Sequence, residues 1–161
     1  MVASTALRAA SSPSTRLTKT LINRAFSHLS ETSDLAYRNK FFKDYMIADV
    51  KWTIAGGAHS MAGTRYNQED HANISFNVLG KKLKSPICFK VRHIVMDADG
   101  TLDEDEGNGH WASVELVGTA EKISGGIYEN EYVWLTKWHD GRIIEVRSYH
   151  DTHLAEVVLN E

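Results

Sequence analysis

The strongest constraint on this chain is a change of hydrophobic period part-way along it. Up to about Met46 the apolar residues recur at helical spacing, whereas Val50, Trp52 and Ile54 alternate with Lys51 and Thr53. From Pro86 onward the sequence reads as four strands in a row. Phe89, Val91, His93 and Val95 alternate with Lys90, Arg92, Ile94 and Met96, and further strands are expected over 110–121, 128–138 and 142–149 or slightly beyond. His139-Asp140-Gly141 supplies a tight turn between the last two. Strands joined by short turns pair antiparallel, so the second half predicts a largely antiparallel sheet with one face to be covered.

The first half supplies the cover. Leu17, Leu21, Ile22, Ala25, Phe26 and Leu29 form one stripe of a helix expected over 15–30. A second helix is expected over 34–46, with Leu35, Phe41, Phe42, Tyr45 and Met46 on its apolar side. A third is expected over 67–79, with Asn67 as N-cap, Ile74 and Val78 as its buried positions and Gly80 as its stop. Helix, helix, strand, helix and then four strands is an α+β order with three helices on one face of the sheet.

Composition narrows the function. The chain has 161 residues and a formal net charge of −3, which suits one domain and argues against a nucleic-acid partner. Cys88 is the single cysteine, so no intrachain disulfide can form. No apolar run approaches the roughly 20 residues of a membrane-spanning helix. Met1 to Ser30 holds no acidic residue but carries Arg8, Arg16, Lys19 and Arg24 among many Ser, Thr and Ala. A disordered or targeting-like tail is therefore expected over 1–14, with the domain over 15–161. The location expected is cytoplasmic, with a mitochondrial presequence as the alternative. The acidic segment 97–107 lacks the glycine and glutamate spacing of a calcium loop and reads as a solvated hairpin turn.

Four pieces of sequence carry a family resemblance: Trp52, Ala62-Gly63, the stretch Gly126-Ile-Tyr-Glu-Asn-Glu-Tyr132, and Asp140-Gly-Arg-Ile143 running into Tyr149-His-Asp-Thr152. Together they resemble the SnoaL-like branch of the NTF2-like superfamily, which includes polyketide cyclases and ketosteroid isomerase relatives. The resemblance spans Leu17 to Leu159. It implies an NTF2-like cone, a curved sheet whose three helices enclose a pocket, and a homodimer formed through the outer sheet face. It also implies either a cofactor-independent isomerase, cyclase or dehydratase acting on a small apolar polyketide- or terpenoid-like molecule, or a ligand-binding or dimerisation module without turnover. Fold alone does not choose between them.

The residues that could carry the chemistry follow. Asp151 lies where similar cyclases place their acid/base aspartate, although alternation groups it with Glu145, Arg147 and Tyr149, opposite the apolar Ile144 and Val146, so that a surface or helix-capping aspartate is the alternative. His93 is expected to face inward because Lys90 and Arg92 seek water, and the resemblance extends here to scytalone dehydratases, which use a pocket histidine on this strand. Glu115 reaches His93 if Trp111 faces inward, and is solvated if Ala112, Val114 and Leu116 are the buried set. Trp52, Trp111, Tyr132 and Trp134 are expected as aromatic walls, and His59 and Tyr66 at the mouth. His71 reads as helix surface. His150 and His153 have a weak metal-ligand spacing with no third ligand, and no phosphate or dinucleotide motif is present, so neither metal nor cofactor is expected.

Overall fold

The computed structural model of the protein describes residues 16–97 and 109–161. The tail expected over 1–14 and nearly all of the expected acidic turn lie outside the described residues. Helix starts are set by side-chain caps. Thr18 Oγ1 accepts the Leu21 N–H at 3.1 Å and opens α1 (Lys19–Ser27), which tightens into a 3₁₀ turn at His28–Ser30. Asp34 accepts the Tyr37 N–H at 2.9 Å and opens α2 (Leu35–Asp44). The first strand, β1 (Met46–Ile54), follows at once, and a short strand, β2 (Gly63–Arg65), pairs with it.

The third helix differs from its expectation. Asn67 caps α3 (Gln68–Ile74) as expected, but Ser75 leaves helical geometry at φ −126° and ψ −86°. The Ser75 Oγ donates to the His71 carbonyl at 2.6 Å, and a separate helix, α4 (Phe76–Gly80), resumes beyond it. The buried side shifts with the break. His71, Ser75 and Leu79 are buried, while Ile74 is half-buried and Val78 exposed. His71 is thus a core residue, not the surface residue its sequence context suggests.

The remaining elements are β3 (Cys88–Met96), β4 (His110–Glu121), β5 (Ile127–His139), β6 (Arg142–His150) and α5 (Thr152–Leu159). The described residues therefore hold five α-helices where three were expected, the surplus being the split third helix and α5. The six strands form one curved sheet in the order β2-β1-β6-β5-β4-β3. All neighbours are antiparallel except β1 and β6, which run parallel and bring the first long strand beside the last. Asp140 and Gly141, at φ 47° and 76°, form the left-handed turn joining β5 to β6.

The helices cover the inner sheet face around Trp134. This ring lies 5.0 Å from Trp52, 5.4 Å from Phe89, 5.7 Å from Phe26 and 6.2 Å from Phe41, centroid to centroid. Two bulges set which side chains join this core. In β3 the register slips between Val91 and His93, so Phe89 and Ile94 both point inward although five residues apart. In β6 a slip opposite Lys137 and Trp138 lets Ile143 and Val146 both be buried.

Gly118 on β4 marks the tightest point beneath this core. A methyl group there would meet Ile87 Cγ2 at 2.7 Å and both Phe89 Cε1 and Tyr132 Cε2 at 2.9 Å. Gly118→Ala is expected to cost about 1–3 kcal/mol by overpacking. Urea unfolding followed by circular dichroism should show a lower midpoint with an unchanged slope.

Candidate functional site

The helices do not seal the inner sheet face. A cleft of about 990 Å³ opens between α2, α3, α4 and the 83–87 segment. Beneath α3 and α4 lies a small inner chamber of about 40 Å³, room for about one water molecule. Trp52, His71, Phe76 and Ile87 border both spaces. The wall between cleft and chamber is therefore apolar except for one imidazole.

That imidazole is held by stacking. The His71 ring lies flat on Trp52, 3.8 Å between centroids and 14° between planes, with the edge of Phe76 at 5.3 Å. His71 is 3% exposed, and its Nδ1 is buried with no hydrogen-bond partner. Burial, with a smaller contribution from the Arg65 charge, pushes its pKa down from 6.5 to about 3. His71 is consequently neutral at physiological pH.

A polar network lines the other end of the chamber. Tyr128 and Tyr132, four residues apart on β5, share a hydrogen bond of 2.7 Å between their hydroxyls. Asn130 between them donates from Nδ2 to Tyr128 Oη at 2.9 Å and to the Asp151 carbonyl at 2.9 Å. Burial raises the pKa of Tyr128 and raises that of Tyr132 well above 10, so both stay protonated. With Tyr128 accepting from Asn130, its own proton is free to reach Tyr132, whose O–H can then point into the chamber. His150 stacks on Tyr132 at 5.4 Å and lies 5.8 Å from His59. Burial and the nearby His59 lower the His150 pKa to about 4, against a smaller opposing influence of Asp151.

The residues expected from the sequence distribute differently. Trp52, Tyr132 and Trp134 all face the chamber. His93 does not face inward: the β3 bulge inverts its side, leaving it 75% exposed on the outer sheet face. There its Nδ1 meets Glu115 Oε2 at 2.7 Å, because Ala112, Val114 and Leu116 are the buried set of β4. The two residues do come together, on the wrong side of the sheet for a pocket. Trp111 shares that outer face, with Lys137 Nζ 5.7 Å over its ring.

Asp151 is likewise outside the chamber. Its carboxylate accepts the Leu154 N–H at 3.0 Å as the N-cap of α5, and its backbone N–H donates to Asn130 Oδ1 at 3.1 Å. Tyr66 is 68% exposed and lines neither space. His59 uses Nε2 on the Ala55 carbonyl at 2.9 Å and backs His150 without lining the chamber. Sequence reasoning missed His71, His150, Tyr128 and Asn130. For His150 a signal existed, since it shares its side of β6 with Val146 and Ser148, both buried. Among the described residues no group of three His, Cys, Asp or Glu side chains is placed to hold a metal ion. None of the described helices is long and apolar enough to cross a membrane.

No family model matches the sequence, and no curated protein sequence matches it. Solved structures do match the fold. Bal32a from a soil-derived mobile gene cassette superposes with a TM-score of 0.63 at 15% identity, over 87% of this chain and 94% of that one. An NTF2-like protein of Burkholderia pseudomallei gives a TM-score of 0.59 at 12% identity, over 88% and 96%. The fold is NTF2-like. A protein from Jannaschia provisionally assigned as a SnoaL-like polyketide cyclase gives a TM-score of 0.59 at 16% identity, over 87% and 89%. The NTF2-like cone accounts for the inner chamber, since the sheet curls around it and α3 and α4 lie across its opening.

Two expectations concern the α5 cap and the buried histidines. Replacing Asp151 by Ala should cost about 1 kcal/mol through the lost cap, whereas Asn, itself a good cap, should cost little in the same urea titration. The second concerns acid. Unfolded His71 and His150 bind protons near pH 6.5, while their folded forms resist until about 3 and 4. Their stabilising effect is therefore complete above pH 6.5 and declines as pH falls below it, by up to about 1.4 kcal/mol per pH unit for each group. Unfolding free energies between pH 7 and 4.5 should fall accordingly, and His71→Phe should flatten that slope.

Proposed function

We propose that the chain binds a small, mainly apolar molecule bearing a carbonyl group in its cleft and moves protons on it without a cofactor, as an isomerase or cyclase. The observation that carries this reading is His71: a buried, neutral imidazole with an unpartnered nitrogen, fixed flat on Trp52 where cleft and chamber meet. The cleft has the size of small-molecule sites, which run from roughly 300 to 1,000 Å³. Its aromatic floor suits a flat ring.

His71 would take a proton from the carbon beside the carbonyl and return it at another carbon, so the net reaction neither consumes nor releases protons. The imidazolium forms together with the enolate, and the two charges offset one another where neither alone would be stable. Neutral Tyr132, or a water in the chamber, would donate to the enolate oxygen. An oriented acid/base group contributes on the order of 10²–10⁴-fold. Asp151, His93 and Glu115 have no part in this reading, because none of the three lines either space.

A second reading, ligand binding without turnover, is favoured by a different observation. Among the described residues no carboxylate lines the inner chamber, and the cleft's Glu69 is exposed. One experiment separates them. The protein is incubated in D₂O with cyclohex-3-en-1-one, and deuterium uptake and formation of the conjugated enone are followed by mass spectrometry and ultraviolet absorbance. Catalysis predicts uptake well above the buffer rate, reduced about 10²-fold or more in His71→Gln. Binding of the ketone without exchange would support the carrier reading, and exchange unaltered in His71→Gln would remove His71 from the mechanism.

A further inference from the structure

The cleft is not electrically neutral. Among the described residues, Arg38, Lys43, Lys84 and Arg142 line it against a single acidic residue, Glu69, in a chain whose overall charge is −3. A local excess of positive charge on an acidic protein focuses the field at that opening.

The four cations are not equivalent. Arg38 is buried and spends its Nη1 on the Leu29 and Glu31 carbonyls at 2.5 and 2.9 Å, tying α2 to the chain before it. Lys84 is paired with Glu121. At the other side of the mouth, Arg142 donates from Nη2 to the Lys43 main-chain carbonyl at 2.7 Å. This bond joins the start of β6 to the last turn of α2 and sets two cationic residues side by side. Among the described residues, neither side chain is paired with a carboxylate. Both are exposed at the rim, while Trp52, Phe76 and Ile87 form the floor.

From this juxtaposition we infer that the ligand is an organic acid: an apolar body on the aromatic floor and a carboxylate held at the mouth between Lys43 and Arg142. A guanidinium offers parallel donors that match the two oxygens of a carboxylate, and a neighbouring ammonium adds charge without demanding geometry. The inference rests on the reading of the cleft as a small-molecule site and adds the ligand's charge and orientation. The acidic end sits at solvent, where its desolvation cost is small, and the rest of the molecule reaches toward His71.

The test compares 4-phenylbutyrate with 4-phenyl-1-butanol, two molecules of nearly the same shape that differ in charge, by isothermal titration calorimetry on the full chain. The acid should bind on the order of tenfold more tightly at low salt, and the advantage should shrink as salt is raised. Lys43→Glu should remove that advantage, weakening the acid about tenfold while leaving the alcohol within twofold. Arg142→Lys, which retains a charge but not the fork, should give a smaller loss, and thermal melts of both variants check that the fold persists. Equal binding of acid and alcohol, or an acid affinity unaffected by Lys43→Glu, would overturn the inference while leaving the cleft as a binding site. Binding of neither compound would count against both the inference and the reading on which it rests.

Discussion

The structure depends on how one indole is held. Trp52 donates from Nε1 to Ser148 Oγ at 3.1 Å, across the one parallel pairing in the sheet. That seam closes the longest loop in the topology, since β1 and β6 lie at opposite ends of the strand sequence. On one side the ring meets Trp134 edge-on at 5.0 Å, and on the other it carries the stacked His71. The same side chain thus fixes the sheet order, seats α3 and forms the wall between cleft and chamber.

Burying an imidazole against that indole has a chemical consequence. Removed from water, His71 loses its positive charge and becomes a neutral group with one orphaned nitrogen in apolar surroundings. The tyrosine pair at the far end of the chamber is shifted by the same cause in the opposite direction, so that it keeps its protons. The polar groups that line the chamber are therefore all uncharged at neutral pH. The ionised groups lie outside that chamber: Asp151 on a helix terminus, Glu115 beside His93 on the outer sheet face, and Lys43 and Arg142 at the rim of the cleft. A carbonyl compound whose charge develops only during reaction would suit such an interior better than one already ionised at its reacting end.

The strand pattern was largely legible from sequence because alternation over eight or more residues leaves few choices. The Asp-Gly turn fixed the last hairpin, and Asn67 fixed the start of α3. What alternation could not reveal was where it fails. A single extra residue in β3 turned His93 outward, and no local feature of Val91-Arg92-His93 announces it. The break at Ser75 is equally silent in sequence, since a serine is tolerated within a helix and interrupts it only when its hydroxyl takes a main-chain carbonyl. The sequence leaves Asp151 divided between an acid/base role and a helix cap, because a strand-end carboxylate and a cap look identical until α5 is recognised beyond it.

By itself the sequence determined the α+β class, the antiparallel run from β3 to β6 and the aromatic character of the interior, because each follows from residue period and local turn chemistry. Only the tertiary structure decided which ionisable groups are desolvated. That choice depends on bulges, on the parallel β1–β6 seam and on the stacking of His71 over Trp52, each of which joins residues far apart in the chain. Protonation state is a property of surroundings, and those surroundings come from long-range packing that no local pattern encodes.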